Sequence, residues 1–146
     1  MEVPKDDYNT YSLLLDRTAR RVKQYAQKKF KEGQFGITVD QWVVMKQLFQ
    51  HNNLNQTELA ELVSKDTPTL TRIIDLLVSK GYVARQVREH DRRSFLVHLT
   101  DEGSRKVETL RPEVKKIRLK AWENLDQEDF STFQRILSTI HQNLAE

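Results

Sequence analysis

Helix-breaking residues are scarce in this chain. Its 146 residues include 4 glycines and 3 prolines, so there are few points at which a helix is forced to end. Long helices are therefore expected over most of the sequence. We predict that residues 1–146 form a single unit, because the length suits one compact domain, with or without an appended assembly element, and no composition shift indicates a linker.

Apolar residues recur at helical spacing in six segments. In the first, over 8–31, Tyr11, Leu15, Thr18, Val22 and Tyr25 form one stripe of a helix. The other five helices are predicted over 39–50, from 55, over 67–80, over 100–122, where Pro112 allows a kink, and from 126. The residues suited to begin them as N-caps are Thr38, Asn55, Asp66 or Thr67, Thr100 and Asp126.

Two further segments have the character of strands. They are YVARQV at 82–87 and SFLVHL at 94–99, and in the second Phe95, Val97 and Leu99 alternate as a half-buried strand requires. The residues between them, REHDRR, include neither glycine nor proline. We therefore predict an extended, charged loop over 88–93 and not a tight two-residue turn.

Positive charge is concentrated in and beside this loop. The chain has 24 lysines and arginines against 21 acidic residues, which gives a net charge of +3. Segment 79–93 alone has five basic and two acidic residues, which is also +3. A local basic patch is typical of phosphate binding, although a solvated hairpin tip would have the same pattern of charge.

The order of these elements predicts a winged helix-turn-helix. Four helices, a hairpin and two more helices indicate a mainly α fold with a small β wing, about six helices and a two- to three-stranded antiparallel sheet. The winged helix-turn-helix region would span 38–100. The helices over 8–31 and 101–146 would form a dimerisation region, because apolar stripes with heptad-like steps favour long helical partners; packing within one chain is the alternative.

The helix over 67–80 is the predicted recognition helix. The second helix of such a pair enters the major groove with its N-terminal residues at base edges, and a charged wing over 88–93 can reach a minor groove, whose negative potential attracts arginine. Threonine suits bases, phosphate or the thymine methyl group, and arginine suits guanine or phosphate. The predicted DNA-binding residues of the two helices and their turn are Asn55, Gln56, Thr57, Ser64, Lys65, Thr67, Pro68, Thr69, Thr71 and Arg72.

These two segments resemble MarR-type transcriptional regulators. The run DRRSFLVHLTDEG has an Asp-x-Arg, a spaced hydrophobic strand, and Leu-Thr before an acid-rich turn to glycine. The upstream text NQTELAELVSKDTPTLTRIIDLLVSKGYVAR is similar to the helix-turn-helix of the same family. The resemblance implies that Arg88, Asp91, Arg92 and Arg93 belong to a DNA-binding wing. It also implies that Arg93 enters the minor groove and Asp91 braces it; the choice of Arg93 over Arg92 depends on the resemblance alone.

The same resemblance implies a homodimer that binds a pseudo-palindromic operator in double-stranded DNA and is often released by a small phenolic or anionic ligand. Candidates to line a ligand cleft are Tyr11, Trp42, Met45 and Arg118, of which Arg118 would bind an anion. Packing in the core or in the dimer explains the first three equally well. The operator sequence, the ligand, and repression or activation stay open.

Other classes of function have weaker support. An adaptor that binds proteins and not DNA is compatible with the fold, but apolar anchors would then be expected in place of a basic wing. No serine–histidine–aspartate arrangement, glycine-rich phosphate loop or paired-histidine motif indicates an enzyme. The chain has no cysteine, which excludes a disulfide or a thiol-based redox sensor. Its 4 histidines are scattered, so we predict no metal and no cofactor.

The N-terminal sequence MEVPKDDYNTYS is polar and does not have the character of a signal peptide. No apolar run approaches the ~18 residues that a membrane span needs. A soluble, cytoplasmic protein without a membrane partner is therefore expected.

Overall fold

Six helices and three strands are present in the described part of the chain. The computed structural model describes the backbone of residues 5–51, 53–88 and 91–146, and the side chains of 10–51, 53–87 and 95–146. In chain order the elements are α1 (Lys5–Glu32), α2 (Val39–Gln50), β1 (Leu54–Asn55), α3 (Gln56–Val63), α4 (Thr67–Ser79), β2 (Val83–Arg88), β3 (Asp91–Leu99), α5 (Asp101–Lys120) and α6 (Gln127–Asn143). The predicted mainly α fold with a small antiparallel sheet is confirmed.

Side-chain caps begin the five helices after α1, as the sequence predicts. Asp66, and not Thr67, is the cap of α4. The Asn55 side chain accepts a hydrogen bond of 2.7 Å from the backbone N–H of Glu58, and the Glu58 side chain accepts one from the backbone N–H of Asn55. Such a reciprocal capping box satisfies two N–H groups that a helix leaves without partners. At the other end of α4, Gly81 has a φ of +80°, a left-handed conformation that ends a helix and that glycine adopts without strain.

The sheet has the order β1–β3–β2, and both pairings are antiparallel. The register of β2 with β3 is regular from the Val83–Leu99 pair to the Val87–Phe95 pair, and it then shifts so that Arg88 pairs with Asp91. The predicted loop over 88–93 is therefore wrong, because the strands continue into it and leave only 89–90 between their ends; these two residues lie outside the described part. A segment without glycine or proline can continue as a strand, and an irregularity of the β-bulge type absorbs the surplus residues of β3.

The core lies between α2, α3, α4, the sheet and the first half of α5. Trp42, Met45 and Leu48 of α2 are at most 1% exposed, and they are part of the same cluster of buried residues as Leu70 and Ile74 of α4. Two apolar residues of the helical stripes do not face the core, since Leu62 is 48% exposed and Val78 is 38% exposed. Each stands at the edge of its apolar stripe, where a turn of about 100° per residue points it away from the neighbouring helices.

The terminal helices carry apolar side chains that this chain does not cover. Helix α6 has no buried residue among its described side chains, and the side chains of α1 from Thr10 to Gln24 are exposed. The exposed large apolar residues of the two helices are Tyr11, Leu13, Leu14, Leu15, Val22, Phe130, Phe133 and Ile136. For the apolar stripes of α1 and α6, packing within one chain is therefore not what the structure has. The stripe of α5 does pack within the chain, since Val107 and Val114 are 1% and 4% exposed.

None of the helices in the described part combines the length and the apolar character that crossing a membrane requires.

Candidate nucleic-acid interface

The N-terminal half of α4 presents polar side chains to solvent. Asp66 accepts a hydrogen bond of 2.8 Å from the backbone N–H of Thr69, and this bond lowers the pKa of the Asp66 carboxyl. Thr67, Pro68 and Arg72 are exposed, whereas Thr69 is half-buried. Three of the predicted contact residues of α4 are thus accessible at one end of the helix. The Thr67 hydroxyl and the Arg72 guanidinium are groups that can contact bases or phosphates of nucleic acid.

Gln56 and Thr71 are hydrogen-bonded to each other. The Gln56 amide Nε2 donates to Thr71 Oγ1, and Thr71 Oγ1 in turn donates to the backbone carbonyl of Thr67 at 2.9 Å. Both residues were predicted to contact DNA. In this structure they join the start of α3 to the first turns of α4, so their polar groups set the relative position of the two helices.

The turn between α3 and α4 is short and sharply bent. Ser64 caps the C-terminus of α3 with a φ of +54°, and its N–H group bonds to the carbonyl of Ala60. The Ser64 side chain is exposed, and the Lys65 side chain is 29% exposed. At the start of α3, Thr57 is exposed and Asn55 is half-buried, because the Asn55 side chain serves as the helix cap.

An ion pair joins β2 to α4, the predicted recognition helix. Arg85 Nη2 of β2 lies 2.5 Å from Asp75 Oδ1 of α4, with the two side chains 26% and 57% exposed. Arg85 belongs to the basic segment 79–93, and its pairing with Asp75 was not predicted, although opposite charges on adjacent elements were the available signal. The pair fixes the base of the β2–β3 ribbon against the outer face of α4.

The tip of the ribbon contains the remaining predicted contact residues. Arg88 ends β2, while Asp91, Arg92 and Arg93 begin β3. Their backbones are strand, and their side chains lie outside the described ones. The proposed brace between Asp91 and Arg93 therefore stays a prediction.

A cavity of about 1510 Å³ lies between α1, α2, α5 and α6. Arg118 lines it, together with Lys23 and Lys65 and apolar groups such as Tyr25 and Phe133. Of the other residues predicted to bind a ligand, Tyr11 is 42% exposed on α1 and is not part of the cavity wall. The remaining two, Trp42 and Met45, are buried in the core at 1% and 0% exposure. Core packing, and not ligand binding, therefore accounts for both residues.

Basic side chains of α2 and α5 approach one another beside this cavity. Burial lowers the pKa of Lys46, and the neighbouring charges of Arg118 and Arg111 lower it further. Arg111 also lies over the ring of Phe49, with its guanidinium carbon 5.4 Å from the ring centroid. Among the described side chains, no group of three or more histidines and acids is placed to bind a metal ion.

Comparison with known proteins identifies a matching family and a similar helix-turn-helix regulator. Residues 37–95 match the MarR family. An uncharacterized HTH-type transcriptional regulator of Bacillus subtilis, YdgJ, is 27% identical over 109 residues, which is 75% of this chain and 66% of YdgJ. The match thus spans slightly less than two thirds of that relative.

Solved structures extend the likeness over nearly the whole fold. The MepR–DNA complex of S. aureus is 25% identical with a TM-score of 0.81, and the match covers 92% of this chain and 98% of MepR. A mutant MarR from E. coli, complexed with operator DNA, is 24% identical with a TM-score of 0.82, and the match covers 95% of this chain and 99% of that one. The likeness includes the terminal helices that lie outside the family match.

Proposed function

We propose that this chain is a DNA-binding transcriptional regulator of the MarR family, because the family model matches residues 37–95 and the fold matches that of the MepR–DNA complex. Members of this family are regulators and not enzymes. The protein is proposed to act in the cytoplasm as a homodimer on a pseudo-palindromic operator. Helix α4 enters the major groove, and the wing over 88–93 enters the adjacent minor groove.

The geometry of α4 supports this proposal most directly. Its accessible N-terminal end, with Thr67 and Arg72, points away from a face in which Leu70 and Ile74 are completely buried. The ion pair between Arg85 and Asp75 holds the ribbon against the outer face of the same helix. One rigid unit therefore presents a helix and a basic ribbon together, which are the two parts that a major groove and a neighbouring minor groove accept.

The function is tested with DNA from the promoter of the protein's own gene. Fluorescence anisotropy at about 150 mM salt should give tighter binding to this fragment than to a random duplex of equal length, because specific sites bind about 10³-fold or more tighter than non-specific DNA. The logarithm of the binding constant should fall with the logarithm of salt concentration by about 0.9 per phosphate neutralised. Equal affinity for both duplexes would contradict specific recognition.

Two helical regions, 8–31 and 101–146, are proposed to form the dimer interface. The apolar stripes of α1 and α6 are exposed in the single chain, and Trp122 packs edge-on against Phe130 and Phe133 with ring centroids 5.0 and 5.4 Å apart. Exposed contiguous apolar surface of this kind marks an interaction site in a soluble protein. A second copy fits it because both stripes have the steps that helical partners share.

The wing is expected to contribute less than α4. Arg93→Ala should weaken operator binding by about ten-fold, because a minor-groove arginine is lost in each half-site. Asp91→Ala should weaken it as well, although it removes a negative charge, because the arginine would lose its brace. Anisotropy measures both variants, with Arg135→Ala on α6 as the control for loss of one positive charge. Tighter binding by Asp91→Ala would contradict the brace.

The cavity between α1, α2, α5 and α6 is proposed to bind a small aromatic or anionic ligand that releases the DNA. Its volume exceeds the roughly 300–1,000 Å³ usual for ligand sites, which agrees with a dimer whose second copy fills part of it. Tyr25 and Phe133 offer aromatic walls, and Lys23, Lys65 and Arg118 offer positive charge. A flat apolar body with one carboxylate matches this lining.

Benzoate, the simplest aromatic carboxylate, is the probe for this ligand site. Adding it should dissociate the wild-type operator complex, and Arg118→Ala should raise the half-maximal concentration by about ten-fold or more, because a charged hydrogen bond is lost. Gel-shift titration measures the effect, with Lys116→Ala as the control on the exposed side of α5. Neutral benzamide should act more weakly than benzoate. An unchanged half-maximal concentration in Arg118→Ala would contradict this role.

A further inference from the structure

The first turn of α2 is bonded to three other parts of the fold. Asp40, in this turn, has its carboxylate Oδ1 2.9 Å from Lys23 Nζ of α1 and 3.4 Å from Lys65 Nζ. Lys65 lies in the turn that leads into α4, just before its cap Asp66. One carboxylate thus connects a terminal helix to the entrance of the recognition helix.

Gln41, the next residue of this turn, connects to the other end of α4. Its side chain is 4% exposed. The Gln41 carbonyl Oε1 accepts from the Lys80 ammonium at 3.1 Å and from the backbone N–H of Thr38 at 3.0 Å. Lys80 is the C-cap of α4, and its ammonium also donates to the carbonyl of Gly36 at 2.7 Å.

A second contact ties the same turn to α1. The side-chain carbonyl of Gln27 accepts a hydrogen bond of 3.1 Å from the backbone N–H of Val39. Helix α1 therefore holds this turn through Gln27 and Lys23, while Asp40 and Gln41 hold the two ends of α4. We call Asp40 and Gln41 with their bonded partners the α2 junction.

We propose that the α2 junction fixes both ends of the recognition helix relative to α1, and that Asp40 is a positioning residue for operator binding. The proposal depends on the DNA-binding function proposed above. In a dimer built on α1, this link sets the orientation of each recognition helix and so the match between the two helices and two successive turns of the major groove.

The charges of the junction are partly withdrawn from solvent, which strengthens their interaction. Asp40 is 33% exposed and Lys65 is 29% exposed. Burial alone would raise the pKa of Asp40, but the hydrogen bonds and charges of Lys23 and Lys65 outweigh it and hold the pKa below the usual value. Asp40 therefore stays ionised between two cations, and the turn before α4 is ordered before DNA arrives, which reduces the ordering cost of binding.

The test is the substitution Asp40→Asn, which keeps the shape of the side chain and removes its charge. We expect operator binding to weaken by about two- to ten-fold, since partly exposed ion pairs have modest strength and the dimer has two junctions. Loss of a negative charge by itself would favour DNA binding, so weakening has the opposite sign to a simple charge effect. Asp40→Glu keeps the carboxylate and should restore most of the affinity.

The matched control is Glu32→Gln at the end of α1, outside the region 8–31 that is proposed for the dimer. Glu32 pairs with Lys29 at 3.2 Å on the surface, with its side chain 50% exposed, so the same charge is removed without touching the junction. This control should bind the operator as tightly as the wild type or slightly more tightly. Circular dichroism confirms that each variant is folded at the assay temperature. If Asp40→Asn does not fold, Lys23→Met replaces it, with the wild type as its control.

The salt dependence of binding separates positioning from a competing explanation. If Asp40 merely kept Lys65 away from a phosphate, Asp40→Asn would bind more tightly and its salt slope would steepen by about 0.9 per phosphate gained in each half-site. Positioning predicts weaker binding with an unchanged slope, and faster amide exchange at Lys65 and Thr67. Tighter or unchanged binding by Asp40→Asn, or by Lys23→Met relative to its control, overturns the proposal. A wild-type protein that does not prefer its operator would instead contradict the proposed function.

Discussion

Replacing Arg72 with alanine is expected to weaken operator binding by at least about thirty-fold, since a good arginine contact to a base contributes about 1–3 kcal/mol and the dimer loses it twice. Arg72 is exposed in the second turn of α4, beyond the cap Asp66. The hydrogen bond from Thr69 lowers the pKa of the Asp66 carboxyl, and the charge of Arg72 lowers it further. Anisotropy with the promoter fragment and with a random duplex measures both specific and non-specific affinity.

The two duplexes also decide what Arg72 contacts. Loss of a base contact lowers operator affinity while random-duplex affinity changes little, whereas loss of a phosphate contact lowers both and reduces the salt slope by about 0.9 per site. Lys116→Ala removes one positive charge from α5, where the Lys116 side chain is 75% exposed, and it should leave the operator affinity almost unchanged. If Arg72→Ala bound the operator like this control, α4 would not be the recognition helix in the proposed sense.

The sequence predicts the helices well because their signals are local. Asn55 and Glu58 of the capping box are three residues apart, and so are Thr38 and Gln41 in the box that begins α2. A cap needs only its own first turn. The same holds for the apolar spacing of α4, which matches its buried face except at the edge of the stripe, where Val78 is exposed.

Contacts between elements were not predicted, because their partners lie far apart in sequence. Gln56 and Thr71 are separated by 15 residues, and Lys23 and Asp40 by 17. Each residue alone is ordinary for its position: a glutamine at a helix start, a threonine on a helix surface, an acid in a first turn. Only the packing of α1, α2, α3 and α4 brings them together, so hydroxyl and amide groups that the sequence assigned to DNA are engaged within the protein.

The hairpin was predicted in part. Alternation at Phe95, Val97 and Leu99 gives the strand, and the register pairs Phe95 with Val87. The predicted length of the loop is wrong because the absence of glycine and proline does not by itself indicate an open loop. It is equally compatible with two strands that continue past a register shift, since a bulge needs neither residue.

Substituting Phe133 with glutamate is expected to convert the protein to a monomer at micromolar concentration and to weaken operator binding by about a hundred-fold or more, because each half-site would then bind independently. Phe133 is 46% exposed on α6 and packs against Trp122. A carboxylate at this position would have to be buried without a partner when two copies meet, which costs several kcal/mol. Sedimentation velocity measures the assembly, and anisotropy measures the affinity.

The control for this prediction lies on the same helix. Ser131→Glu adds the same charge to α6 at an exposed position about 200° around the helix from Phe133, and it should leave both the dimer and the operator affinity intact. Leu15→Glu on α1, where Leu15 is 43% exposed, should reproduce the Phe133→Glu result if both terminal helices meet the second copy. A Phe133→Glu protein that sediments as a dimer, or a monomeric variant that still binds the operator as tightly as wild type, would contradict an interface built from α1 and α6. A third outcome is that the dimer is lost and random-duplex binding falls far less than operator binding. This result would show that specificity depends on the pairing of two recognition helices.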